Sequence, residues 1–111
     1  MEKADKTNDP RLQRWYRLTL FEQMSNIDGE IKRYMDARDN YKSGVDKEDY
    51  SDFYFNKVLE LIDRTESDPK NIRRIQELED EKEQLRLHKE GKVSDEYITE
   101  YWNTYTKALS A

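Results

Sequence analysis

The chain contains no cysteine, a single histidine, two prolines and three glycines in 111 residues. Without cysteine there are no disulfides, thiolate metal ligands or thiol nucleophiles. One histidine excludes metal sites built from several imidazoles. Long apolar runs are also missing. None approaches the roughly 20 residues that cross a bilayer, and the opening residues, Met1 to Asp9, are polar and mixed in charge. With neither a span nor an export signal, a cytoplasmic protein with no membrane association is expected. The apolar share is low as well, 34% against 41% charged, so any core must be thin.

What is present argues for order. Twenty basic residues nearly balance twenty-five acidic ones, and there are eight Tyr, three Phe and two Trp. Disordered chains of this polarity carry a larger net charge and fewer aromatics. One domain spanning 10–111 is expected behind a flexible tail, 1–9.

The few breakers fall at intervals that suit helices. Asp9-Pro10 precedes the first periodic stretch, Gly44 follows it, Asp68-Pro69 reads as an N-cap with proline at the first helical position, and Gly91 suits a left-handed C-cap. Four segments follow. The first covers about 10–40, with Leu20, Met24, Ile27, Ile31, Tyr34 and Met35 on one stripe. Thr19 and Glu22 have capping-box spacing, so the main helix can start there, with Arg11 to Leu18 as a leading arm. Gly29 beside the stripe suggests a close helix crossing. The second segment, about 49–66, carries Tyr50, Phe53, Tyr54, Val58, Leu61, Ile62 and Thr65. The third, 69–89, carries Ile72, Ile75, Leu78, Leu85 and Leu87; its polar middle, Glu79 to Gln84, reads as an extension into solvent. The fourth opens at Ser94 and carries Ile98, Tyr101, Trp102, Tyr105 and Leu109. No period-two alternation is long enough for a sheet. The expected fold is all-α, a small antiparallel bundle of about four helices.

Catalytic and metal chemistry lacks members. Leu85 stands three residues before His88, where an inward di-iron pair needs glutamate. The acids between Asp36 and Gly44 miss calcium-loop spacing, and Asp46, Glu48, Asp49 and Asp52 read as a solvated loop and helix start. His88, beside Lys89 and Glu90, reads as a surface residue at a helix end. Glu30 and Glu60 read as partners of Lys or Arg a turn away. No glycine-rich phosphate loop occurs. No enzyme, cofactor or metal is expected.

Binding features are easier to find. Residues 1–17 hold five bases against three acids, with Lys3, Lys6, Arg11, Arg14 and Arg17 interleaved with Trp15 and Tyr16. Such a stretch either contacts phosphates and stacks on bases, or folds its rings onto the bundle while the arginines snorkel outward. Lys70, Arg73 and Arg74 form a second basic group. Mimicry of nucleic acid is disfavoured by the interleaved seven acids and six bases of 68–90.

Two stretches carry a resemblance. Arg14-Trp15-Tyr16-Arg17-Leu18-Thr19-Leu20-Phe21-Glu22-Gln23-Met24-Ser25-Asn26-Ile27 is one; Leu59-Glu60-Leu61-Ile62-Asp63-Arg64-Thr65 followed by Asp68-Pro69-Lys70-Asn71 is the other. Together they resemble a family of small, uncharacterised helical-bundle proteins of bacteria, archaea and mobile elements. The likeness covers roughly 14–75 and brings no catalytic residue or ligand with it. The chain departs from the family pattern after Asn26-Ile27, where Asp28 stands in place of a small residue.

The surplus of Tyr and Trp beside a meagre aliphatic core points to a protein-interaction module that self-associates or docks on a larger partner, with a homo-oligomer favoured. Candidate contact residues are Arg11, Arg14, Trp15, Tyr16, Arg17, Arg73 and Arg74, and Tyr101, Trp102 and Tyr105 of the last helix. A nucleic-acid accessory protein using the basic arm is one alternative. An inhibitor from a phage or mobile element that occludes a host enzyme is the other.

Overall fold

Asp9 starts the first helix: its Oδ1 accepts the Arg11 N–H at 2.8 Å, and Pro10 fills the position where a missing N–H costs nothing. The computed structural model describes residues 9–110. The tail expected over 1–9, with Lys3 and Lys6, therefore lies outside the described residues, Asp9 excepted, as does the Leu109 side chain.

Helix α1 (Pro10–Tyr16) is separate from α2 (Leu20–Lys42), and the reason is the capping box. Glu22 N–H donates to Thr19 Oγ1 at 3.1 Å, and Thr19 N–H donates to Glu22 Oε1 at 2.8 Å. This exchange holds Thr19 extended, at φ −68° and ψ 164°, so one helix cannot run from 10 to 40. The described residues thus contain five α-helices where about four were expected. Helix α3 (Ser51–Ser67) follows the turn at Gly44, whose φ of +84° is left-handed. The third expected helix splits into a 3₁₀ segment (Pro69–Arg74) and α4 (Ile75–Lys89). At its far end Gly91, φ +82°, closes a Schellman motif: Gly91 N–H bonds the His88 carbonyl and Lys92 N–H the Leu87 carbonyl, both at 2.9 Å. Helix α5 (Asp95–Ser110) starts where Ser94 Oγ accepts the Tyr97 N–H at 3.1 Å.

Cross-helix pairs fix the helix directions. Gln23 meets Asn71, just past the end of α3, while the Tyr34 ring packs at a tilt against Phe55 near its start, so α2 and α3 run oppositely. Asp28 meets Thr106, Lys32 meets Asn103 and Arg38 meets Asp95, so α5 opposes α2. Asp63 with Lys82, and Glu77 with Tyr105, set α4 against both α3 and α5. The result is an antiparallel bundle of α2 to α5, with α1 held against the C-terminal end of α3.

The core is built from Met24, Ile27 and Ile31 of α2, Phe55, Val58 and Ile62 of α3, Leu78 and Leu85 of α4, and Ile98 and Trp102 of α5. The α3 stripe differs from the expected one. Phe55 is buried, whereas Phe53 and Tyr50 are exposed, because the helix starts at Ser51 and the inward line runs 55, 58, 62, 65. Ile72 and Ile75 are exposed too, since the 3₁₀ segment turns them away from the stripe. The polar middle of α4 does not extend into solvent. Glu81 is buried between Leu78 and Leu85, and Lys82 is drawn onto Asp63, at 2.9 Å, and Glu79, at 2.7 Å. Gly29 marks no close crossing: a Cβ built there meets nothing within 4 Å. The anomalous Asp28 is buried at the α2–α5 contact, where Lys32 Nζ (2.7 Å) and Thr106 Oγ1 (2.9 Å) both donate to its Oδ2. No helix among the described residues is long and apolar enough to cross a membrane.

Candidate functional site

The basic arm is anchored by its rings. Trp15 is buried, and its indole N–H donates to Thr65 Oγ1 at 3.0 Å; that hydroxyl donates onward to the Leu61 carbonyl at 2.8 Å. Gln23, fully buried, uses both amide hydrogens, on the Trp15 carbonyl and on Asp68 Oδ2, each at 2.9 Å. Its Oε1 accepts from Asn71 Nδ2 at 2.9 Å, and Asn71 gives its other hydrogen to the Thr65 carbonyl at 3.0 Å. Lys70 pairs with the buried Asp68 and donates to the Tyr16 carbonyl at 3.0 Å. The Tyr16 and Ser67 hydroxyls share a bond of 2.7 Å. Every amide hydrogen of Gln23 and Asn71 has an acceptor, the condition under which a buried polar network fixes a geometry. The two stretches that carry the family resemblance supply most of this network.

Rings inside, arginines outside: this is the result for the arm. Arg11, Arg14 and Arg17 are exposed. Arg11 is paired with its own cap, Asp9, at 3.2 Å. Among the described residues, Arg14 and Arg17 have no carboxylate within ion-pair distance. Two shallow grooves flank α1. One, about 460 Å³, is lined by Pro10, Gln13, Arg14 and Arg17. The other, about 330 Å³, is lined by Arg11, Arg14, Leu18, Asn26 and Arg64 over the edge of Trp15. Arg14 is the wall they share. The second basic group is mostly spent internally. Lys70 answers Asp68 and Arg74 pairs with Glu77 at 3.2 Å, leaving Arg73 exposed and without a carboxylate partner among the described residues.

The aromatic face of α5 is consumed by the fold. Trp102 and Tyr105 are buried and Tyr101 half-buried. Both phenols donate to Glu77 Oε2, Tyr105 at 2.8 Å. Burial pushes both phenols up, and the Glu77 carboxylate adds to it. Glu77 is itself held below its ordinary value: burial would raise it, but the two hydroxyls and Arg74 outweigh that. These three rings were expected at a contact surface; Trp102 and Tyr105 lie in the chain's own core, and Tyr101 packs half-buried at its edge.

His88 is a correction of the same kind. It is 5% exposed, not a surface residue. Tyr34 OH lies 2.9 Å from its Nδ1, and Asp95 Oδ1 2.5 Å from its Nε2. Arg38 grips Asp95 through two bonds, at 2.9 and 2.7 Å. The ionised Asp95 carboxylate only accepts, so Nε2 carries the hydrogen and in the neutral ring Nδ1 accepts from Tyr34, whose hydroxyl burial pushes up to about 12. Arg38, then His88, hold Asp95 well below the usual carboxylate range. The order hydroxyl–imidazole–carboxylate is that of a nucleophilic triad, but Tyr34 is only 2% exposed and its proton is held more tightly than usual. The cluster clamps α2, α4 and the start of α5.

Two carboxyls stand out by protonation. Burial pushes Glu81 up to about 7, with Glu77 and Asp80 adding repulsion. Burial and a hydrogen bond with Glu79 do the same for Glu66, to about 7, beside Lys82. Glu30 and Glu60 carry the expected pairs, with Arg33 (2.8 Å) and Arg64 (2.6 Å). A signal for His88 and Glu81 was present in the sequence. Leu78, Glu81, Leu85 and His88 are spaced by three, four and three, a single inward line whose polar members masked it. Arg64 and Asn26 gave no such signal, because they join Arg14 only when α1 folds against α2 and α3.

Comparison of the chain with protein-family models, with curated proteins and with solved structures finds no match.

Proposed function

We propose that this is a non-enzymatic protein-interaction module that docks through the outer face of α1. One observation carries the reading: Arg14, the wall between two grooves, and Arg17 are exposed guanidiniums without carboxylate partners among the described residues, on a helix whose rings are fixed beneath them. Holding charged groups on an anchored element lowers the ordering cost of binding. Guanidinium forks suit the carboxylates of an acidic protein surface. The burial of Tyr34 and His88 supports a structural use of the chain's one imidazole.

A nucleic-acid partner is the second reading, favoured by the same arginines. One feature weighs against it. Trp15 is buried and Tyr16 half-buried, so α1 itself offers no open ring for base stacking.

The test is a two-dimensional NMR titration at low salt with poly-glutamate and, separately, with a DNA or RNA oligonucleotide. Protein docking predicts shifts at Arg11 to Leu18, Asn26 and Arg64 with poly-glutamate. A stronger response of the same residues to the oligonucleotide would favour the second reading, and silence toward both would remove the α1 face as a binding surface.

A further inference from the structure

The grooves beside α1 are basic; the far end of the same molecule presents an exposed, acidic loop. The loop between α2 and α3 carries Asp46, Glu48 and Asp49 against one lysine, Lys47. Val45 and Tyr50 frame it and are 72% and 49% exposed. Asp46 and Glu48 have no cationic partner within ion-pair distance among the described residues, while Asp49 is engaged with Ser51. Among the described residues the molecule therefore leaves unneutralised arginines at one end and unneutralised carboxylates at the other.

The loop cannot reach the groove of its own chain. Asn26 lines the groove and Ser43 opens the loop, and the rigid α2 between them spans about 25 Å at 1.5 Å per residue. Resting on the docking face proposed above, we infer that its occupant is the Val45–Tyr50 loop of a second copy. Asp46 and Glu48 meet Arg14 and Arg17, the backbone N–H groups of the loop face Asn26 Oδ1, and Val45 or Tyr50 covers Leu18 and the edge of Trp15. Because head and tail are different surfaces, the contact is heterologous. Association then runs head to tail, as an open series or as a ring where the rotation closes.

Sedimentation of the full chain over a range of concentrations at low salt tests this. The wild type is expected to form a concentration-dependent series that dissociates as ionic strength rises past about 0.15 M. Arg14→Glu spoils the head alone, and Asp46→Asn with Glu48→Gln spoils the tail alone. Each protein by itself should associate about tenfold or more weakly, since each lacks half of every contact. Mixed, they should form a one-to-one dimer and nothing larger: the intact tail of one fits the intact head of the other, and neither product end can extend. A wild type that stays monomeric while poly-glutamate still shifts the α1 resonances overturns the second copy as partner and leaves the docking face standing. Variants that associate like the wild type, or a mixture that grows beyond the dimer, overturn the inference as well. If poly-glutamate produces no shift, the docking face itself falls.

Discussion

The indole N–H of Trp15 ends 3.0 Å from the hydroxyl of Thr65, fifty residues away, and both groups are buried. This bond ties α1 to α3. Thr65→Val keeps the shape but leaves the indole without an acceptor, an expected loss of about 1–3 kcal/mol in urea unfolding, with Thr65→Ser closer to wild type. Tryptophan emission should shift with it.

Trp15 and Arg14 are adjacent but do different work. Trp15→Ala removes a buried ring and should cost about 3–5 kcal/mol. Arg14→Ala, at an exposed position, should change stability by no more than about 0.5 kcal/mol. Equal losses in denaturant unfolding would mean that Arg14 is structural and not a contact residue.

Gly29 lies inside α2 with open space where a Cβ would go. Gly29→Ala should therefore stabilise by about 0.5–1 kcal/mol, through helix propensity alone. A melting temperature raised by a few degrees is the expected readout; a lowered one would reveal a contact at that position.

The buried Glu81 makes stability depend on pH in an uncommon direction. Its folded value, about 7, lies above the ordinary 4.5. Between those values the folded chain holds a proton that the unfolded chain releases, so stability falls as pH rises through that window. Asp95 acts oppositely: its folded value is depressed, so its contribution is present above about 3.8 and is lost as pH falls below it. Stability should peak near pH 4–5 for these two groups, and Glu81→Gln should flatten the decline toward pH 8. A Glu81→Gln protein with an unchanged slope in pH-dependent denaturation would assign the decline elsewhere.

Tyr34 and Asp95 meet at His88 from opposite sides. Tyr34→Phe leaves Nδ1 without its donor, a cost of about 1–3 kcal/mol. Combined with Asp95→Asn, the two losses should fail to add by about 0.5 kcal/mol or more, because they share one imidazole. Strict additivity in a double-mutant cycle would show that the clamp does not act as a unit.

Much of this architecture was legible in residue order. Helix boundaries rest on local chemistry, so the Thr19–Glu22 box, the Asp68-Pro69 start, the Gly91 stop and the Ser94 cap could be read where the structure has them. The stripes of α2 and α5 were legible for a similar reason: apolar residues at helical spacing bury together. What stayed hidden were polar residues with buried fates. Glu81 and His88 read as surface chemistry because polarity by itself predicts solvent, and Gln23 and Asp28 gave no sign of burial because their partners, Asn71 and Thr106, lie on other segments.

The sequence by itself determined an all-α chain, its caps and most of its inward faces, since those depend on contacts a few residues long. Only the tertiary structure decided which aromatics were available for binding. Trp15, Trp102 and Tyr105 found acceptors or core neighbours far along the chain and went inside, while Arg14 and Arg17 found no carboxylate among the described residues and remained outside. Such pairings span fifty residues or more in the case of Trp15, and no local pattern encodes a contact at that separation.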